Sequence, residues 1–166
     1  MAPTPINDEP TFVPSGFAPP LGLSMPAFTL EPLRPQHNDS DYAAWTSSLA
    51  HIRATPGFED QSWPHEMTLA ENLGDLEMHA RHFEERRGFT YTVLDPGSAE
   101  VIGCVYIYPA RGEDSARAAG AGAGSRASVR SWVRADRAQL DEPLWAAVGA
   151  WLARDWPFAG VDYAPR

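Results

Sequence analysis

Two strand-like segments joined by a turn, between residues 89 and 108, constrain the fold of this chain more than any other feature. Phe89, Tyr91 and Val93 alternate with threonines, a period-2 pattern that predicts a β-strand. The tetrapeptide 95–98, Asp-Pro-Gly-Ser, has the residues that favour a turn. A nearly continuous apolar, β-branched and aromatic run follows over Val101–Tyr108, in which Gly103 marks a bulge or a close backbone contact. Together the segments predict an antiparallel hairpin at the centre of a sheet.

Two helical patterns precede the hairpin. Thr68 followed by Glu71 has the spacing of a capping box, which predicts the start of a helix at Thr68. Gly88 is a natural stop for that helix. An earlier amphipathic helix is predicted after the candidate caps Asn38, Asp39 and Ser40, because apolar residues recur there at spacings of 3, 4 and 3. Those apolar residues are Tyr42, Trp45, Leu49 and Ile52.

Strand and helix signals continue after the hairpin. Residues 127–134 predict a strand, Asp141 is the expected cap of a helix, and residues 160–163 predict a last short strand. The Ala/Gly tract at 116–123 predicts a flexible loop between strands. The order predicts an α/β (α+β) fold in which a mostly antiparallel mixed sheet is flanked by helices.

The chain divides into a proline-rich segment, 1–26, and a domain, 27–166. Seven prolines exclude a regular helix or a central strand from the first segment. The same segment is too apolar for a solvated tail, so we expect an extended arm that lies on the domain or on a partner subunit. We also expect the arm or a second subunit to cover the sheet edge left by the last strand, which makes a homodimer possible.

Charge and composition restrict the partners. The net charge is −9 and no long basic run is present, so nucleic acid and anionic membrane are not expected as partners. We predict a cytoplasmic protein, because Cys104 is the single cysteine and the N-terminus has no basic segment before an apolar core. No metal site is expected: His79 and His82 are interpreted as solvated helix residues without a third clustered ligand.

Three segments carry a resemblance to the GNAT-type acetyltransferases, and together with the element order they cover about four-fifths of the chain. Residues 28–45 resemble the opening of many members, residues 89–109 their middle hairpin, and residues 131–152 their cofactor strand, loop and helix. The resemblance implies an acyl-CoA N-acyltransferase fold and acetyl-CoA as cofactor. It also implies that the cofactor lies along a splayed strand and the following loop, at Val133, Arg134, Ala135, Arg137, Ala138 and Gln139.

The resemblance also places an acceptor pocket. The loop that carries Trp63, His65 and Glu66 commonly lines it in this family. Tyr106 and Tyr108, together with Trp132, would form a wall if they face the helix-free side of the sheet, and ordinary packing is the alternative. No residue has a convincing role as general acid or base, so the catalytic residues stay unassigned.

Two functions are compatible with these residues. The first is transfer of an acetyl group from acetyl-CoA to a small amine. The second is a non-catalytic binding or assembly module that has lost coenzyme A binding. Gln139 and Asp141 occupy the positions of two family glycines, and Asp141 and Glu142 put negative charge where a pyrophosphate would dock. By comparison with the family, we expect the chain to lack the helix and two strands that usually follow the strand at 160–163.

Overall fold

The computed structural model describes residues 12–111 and 125–166, which form a six-stranded sheet in the strand order 1-2-3-4-5-6. The Ala/Gly tract and the first eleven residues of the predicted arm lie outside the described residues. The strands are β1 (Leu23–Ser24), β2 (Thr29–Pro32), β3 (Phe89–Leu94), β4 (Val101–Pro109), β5 (Arg126–Val133) and β6 (Gly160–Tyr163).

Neighbouring strands are antiparallel except at the carboxyl end of the sheet, where β5 and β6 run parallel. The predicted hairpin is β3 and β4. Gly103, predicted to mark a bulge or a close backbone contact, lies where a Cβ would come 2.5 Å from the Trp132 carbonyl oxygen. The pairing of β3 with β4 also shifts register beside it. The sequence thus predicted both the hairpin and its irregularity.

Helices cover both faces of the sheet. On one face lie α1 (Asn38–Thr46), α2 (Leu49–Arg53) and α3 (Leu69–Glu84), and on the other lies α4 (Asp141–Asp155). The core is therefore two clusters, one around the fully buried Trp45 and Trp132 and one around Tyr91 and Trp151. This mixed sheet between helices confirms the predicted fold class. No helix in the described ranges is long and apolar enough to cross a membrane.

Three local predictions about the helices before the hairpin were wrong. None of the candidate caps Asn38, Asp39 and Ser40 is the N-cap residue of α1, which is His37. The single early helix is broken into α1 and α2, since Thr46 and Ser47 donate their hydroxyls to backbone carbonyls and Ser48 leaves the helical conformation. Gly88 does not end α3; Arg86 adopts the positive φ of 62° that follows the helix. The predicted start of α3 is correct, because Thr68 Oγ1 accepts from the Glu71 amide at 3.1 Å.

The described part of the N-terminal segment packs against the domain. Phe12 and Val13 are buried, and the Phe12 ring stacks on Phe158 with a centroid separation of 5.0 Å. Further along, β1 pairs with β2, at the sheet edge opposite to β6. The sequence predicted that the arm or a second subunit covers the outer edge of β6. Residues 12–26 do not cover that edge, because their short strand β1 completes the opposite edge of the sheet. A homodimer at β6 stays a prediction.

We expect the segment before β1 to be an integral part of the core. Phe12→Ala should lower the free energy of unfolding by about 3–5 kcal/mol, since it removes a ring that is only 7% exposed. Leu21→Ala, in the same segment but 74% exposed, is the matched control and should change little. Urea unfolding followed by tryptophan fluorescence measures both. Equal, small effects of the two variants would contradict this packing.

Candidate functional site

The parallel pairing of β5 with β6 is short. It runs from Arg126 opposite Gly160 to Val129 opposite Tyr163, where β6 ends. Within residues 12–111 and 125–166, the remaining residues of β5, from Arg130 to Val133, have no strand partner on that side. This is the opening beside the strand in which the resemblance places the cofactor.

The side chain of Arg166 lies in that opening. Its Nη2 donates to the Ser131 carbonyl oxygen at 2.9 Å, and its Nε pairs with Asp141 Oδ2 at 2.7 Å. Its Nη1 reaches the carbonyl oxygen of Pro56 at 3.2 Å, in the segment after α2. The side chain is 4% exposed. A backbone acceptor of the unpaired half of β5 is thus already satisfied by the protein itself.

The predicted cofactor residues are engaged elsewhere or face solvent. Val133 is fully buried in the core, and the amide of Ala135 donates to Ser48 Oγ at 2.8 Å. Arg134 pairs with Asp136 at 2.6 Å, and Arg137 pairs with Asp95 at 2.8 Å. Ala138 and Gln139 lie exposed in the 3-10 turns Ala135–Leu140 that precede α4. Neither arginine is available to a phosphate in this arrangement.

The start of α4 does not fit a pyrophosphate. Two carboxylates, Asp141 and Glu142, occupy its first turn, where they repel an anion. Asp141 was predicted to cap the helix, and that prediction was wrong: Leu140 is the N-cap residue and makes no side-chain cap bond. The Asp141 carboxylate instead forms an ion pair with Arg166. The residues present therefore do not fit coenzyme A.

A cavity of about 900 Å³ lies on the sheet face that carries α1 to α3. Strand register builds its floor, because Tyr106 pairs with Arg130, and Tyr108 pairs with Ser128, which in turn pairs with Asp162. Paired residues point to the same face, so these five side chains form two adjacent rows. The segment between α2 and α3 and one side of α3 form the wall.

The structure brings together three of the five predicted acceptor residues. Trp63, Tyr106 and Tyr108 line the cavity, whereas His65 and Glu66 lie exposed outside its lining. The tyrosines face α3 and not a helix-free side, because helices cover both faces of this sheet. Trp132 is fully buried beneath the cavity and donates its indole N–H to Tyr106 Oη at 3.0 Å.

Tyr108 is held by two histidines of α3. Its hydroxyl lies 2.8 Å from His79 Nδ1 and 3.0 Å from His82 Nδ1. The ring can lie there because residue 88 is a glycine: a Cβ at that position would come 2.2 Å from the tyrosine ring. Burial, followed by the nearby His82 and Arg130, lowers the pKa of His79 to about 4. His79 is thus a neutral cavity residue, and its interpretation as solvated was wrong.

A polar cluster of buried side chains closes the other end of the cavity. Asn72 donates to Asp41 Oδ2 at 3.0 Å and to Asn38 Oδ1 at 2.9 Å, and it accepts from the Trp45 indole at 3.0 Å. Burial raises the pKa of Asp41 to about 6, although the bond from Asn72 opposes the shift. This cluster ties α1 to α3 and fixes the end of the cavity that Asp41 lines.

Sequence reasoning missed three cavity residues, His79, Asp75 and Arg130. The first two lie on the side of α3 that faces the sheet, and Arg130 shares its face with Trp132, so periodicity could have pointed to them. Charged residues are usually expected to face solvent, so the helical and strand periodicity of these three residues was not taken as a sign of a cavity. In residues 12–111 and 125–166 no three metal-ligating side chains come together.

Asp41 and His79 should give opposite pH dependences of stability. Between pH 4 and 6 the folded state binds more protons at Asp41, so unfolding free energy falls as pH rises. Between pH 4 and 6.5 the unfolded state binds more protons at His79, so unfolding free energy rises. Each effect amounts to about 3 kcal/mol, and the two nearly cancel in the natural protein.

Single variants should expose the cancelled slopes. As pH rises from 4 to 6.5, the unfolding free energy of Asp41→Asn should increase relative to that of the natural protein, because only the His79 effect is left. The unfolding free energy of His79→Gln should decrease over the same range, because only the Asp41 effect is left. Urea unfolding at a series of pH values measures both slopes, and Glu77→Gln, on the exposed side of α3, should follow the natural protein. Variants whose slopes match the natural protein would contradict these pKa shifts.

Several solved structures are similar to this chain. No protein-family model matches its sequence, and a search of curated proteins finds no similar sequence. The ribosomal-protein-S5-alanine acetyltransferase of Vibrio fischeri aligns with a TM-score of 0.58 at 12% identity, over 80% of this chain and 67% of that chain. A Salmonella typhimurium acetyltransferase that modifies the N-terminal serine of ribosomal protein L7/L12 gives 0.58 at 11% identity, over 81% and 68%.

The microcin C7 self-immunity acetyltransferase, solved in complex with acetyl-CoA and AMP, aligns with a TM-score of 0.56 at 10% identity, over 81% of this chain and 66% of that chain. At such identities the likeness concerns the fold, and chemistry does not follow from a fold. The strand order, the parallel β5–β6 pair and the similarity to these solved structures all indicate the same fold. The chain has the acyl-CoA N-acyltransferase fold of the GNAT-type acetyltransferases.

Proposed function

We propose that this protein is a small-molecule-binding module on an acyltransferase scaffold, and that it binds its ligand in the cavity without coenzyme A. The observation that carries the proposal is the position of Arg166. Its guanidinium occupies the opening beside β5 and pairs with Asp141 at the start of α4. One side chain thus blocks both places where the resemblance puts the cofactor.

The cavity suits a small amine. Trp63 and Tyr106 supply aromatic faces to it, and Asp41, Asp60 and Asp75 supply carboxylates. Aromatic faces and carboxylates both attract an organic cation. Its volume of about 900 Å³ lies within the range of ordinary small-molecule sites.

Titration calorimetry with acetyl-CoA tests the closed cofactor site. The natural protein should give no binding heat up to about 1 mM acetyl-CoA, which corresponds to less than about 4 kcal/mol of binding free energy. Coenzyme A without the acetyl group is the control ligand and should behave in the same way. Binding of either in the micromolar range would overturn the proposal.

Acetyl transfer is the second candidate function. The specific observation in its favour is the short β5–β6 pairing, which leaves half of β5 unpaired next to a cavity that could hold an acceptor. On this alternative Arg166 leaves the opening when the cofactor arrives. Arg166→Met/Asp141→Asn removes both the blocking cation and the repelling carboxylate, so it should bind acetyl-CoA more tightly than the natural protein if this function holds.

The Arg166 pair should also matter for stability. Arg166→Met leaves the Asp141 carboxylate without its cation, and we expect a loss of about 3–5 kcal/mol in unfolding free energy. The double variant Arg166→Met/Asp141→Asn should lose less, because no lone charge stays behind. Arg154→Met, which breaks an exposed pair with Asp155, should leave the urea midpoint unchanged. A double variant no more stable than Arg166→Met would contradict the coupling.

A further inference from the structure

Arg130 differs from the other half-buried arginines of the described chain. Each of the others donates to a carboxylate or a backbone carbonyl, whereas Arg130 has no hydrogen bond or ion pair among the described residues. Five N–H groups of a half-buried guanidinium are therefore left for something else. The other half-buried arginines are Arg53, Arg86, Arg126, Arg134, Arg137 and Arg166.

The same arginine is held in place without using its N–H groups. Its guanidinium carbon lies 4.9 Å from the Phe58 ring centroid and 5.9 Å from that of Tyr106. Gly57 passes over its aliphatic part, and a Cβ at that glycine would lie 3.5 Å from Arg130 Cγ. Contacts with ring faces orient a guanidinium and leave its N–H edge free, which is the geometry that binds a carboxylate with two parallel hydrogen bonds.

One carboxylate in the cavity lining is likewise unpartnered. Asp41 accepts from Asn72, Asp60 accepts from Ser62, and Asp162 pairs with Arg126. Asp75 has no hydrogen bond or ion pair within the described residues, although it is half-buried on the wall formed by α3. Arg111 is the remaining charged residue of the described lining, and it is exposed.

We propose that the ligand of the cavity is a small zwitterion, whose carboxylate binds Arg130 and whose ammonium group binds Asp75. This inference rests on the proposed function, since it needs the cavity to be a binding site. Arg130 and Asp75 are the half-buried charged residues of the described lining that have no hydrogen bond or ion pair among the described residues, and they have opposite sign. A ligand with one charge would leave the N–H groups of Arg130 or the carboxylate of Asp75 without a hydrogen-bond partner. The aromatic walls at Trp63 and Tyr106 then contact the apolar body of the ligand.

Matched sets of probes separate the two charges. Each set holds a zwitterion, the amine that lacks its carboxylate, and the acid that lacks its ammonium group. Suitable sets are phenylalanine with phenylethylamine and phenylpropionate, leucine with 3-methylbutylamine and 4-methylpentanoate, and 6-aminohexanoate with hexylamine and hexanoate. Binding up to about 10 mM is followed by NMR of the Trp63 indole and the Arg130 Nε–H group, which are assigned by substitution.

We expect a zwitterion in at least one set to bind at least about tenfold more tightly than either partner, because each charged hydrogen bond contributes that much. Arg130→Met should reduce the affinity for the zwitterion to that of the natural protein for the amine. Asp75→Asn should reduce the affinity for the zwitterion to that of the natural protein for the acid. Arg130→Lys keeps the charge but loses the fork, and should recover part of the loss. Arg81→Met and Glu77→Gln, both on the exposed side of α3, are the matched controls and should change nothing.

Two results would overturn the inference in different ways. If an amine binds as tightly as its zwitterion and Arg130→Met has no effect, the zwitterion is wrong while the cavity is still a binding site. If no probe of any set shifts the Trp63 or Arg130 signals, both this inference and the proposed binding function fail.

Discussion

Arg166 joins three other segments of the chain to the end that follows β6. Its guanidinium bonds to the backbone of β5, to the first residue of α4 and to the segment after α2, and it lies three residues after the end of β6. A planar group with donors on several edges can meet such a set of acceptors, whereas an ammonium group would not reach them all. The closed state of the opening beside β5 depends on this one side chain.

The cavity depends on a different kind of constraint, which is close backbone approach. Residue 88 has no side chain, so the Tyr108 ring can lie over it and present its hydroxyl to His79 and His82. Gly57, in the wall, is needed for a different reason: its φ of 102° lies in the left-handed region that favours glycine, while it makes ordinary van der Waals contact with Arg130. The shape of the cavity thus depends on two glycines as well as on the polar residues that line it.

The sequence predicted the scaffold better than the site. Alternation in 89–94 and the capping box at Thr68 are local signals, and both elements lie where they were expected. The break between α1 and α2 was missed because side-chain hydroxyls at Thr46 and Ser47 compete with the helix, which an apolar period does not reveal. Arg166 could not be found, because its role depends on partners from distant segments. Arg130 was missed although it shares a strand face with Trp132, because a charged residue is usually expected to face solvent.

The bond from Arg166 to Pro56 has a consequence for how the molecule assembles. All six strands pair with their neighbours in sequence order, whereas Arg166, three residues after β6, bonds to a carbonyl oxygen 110 residues earlier in the chain. Contacts that close a longer loop tend to form late on the folding route. The β6 segment with Arg166 should then dock after the transition state, so that weakening it hastens unfolding and leaves the rate of folding almost untouched.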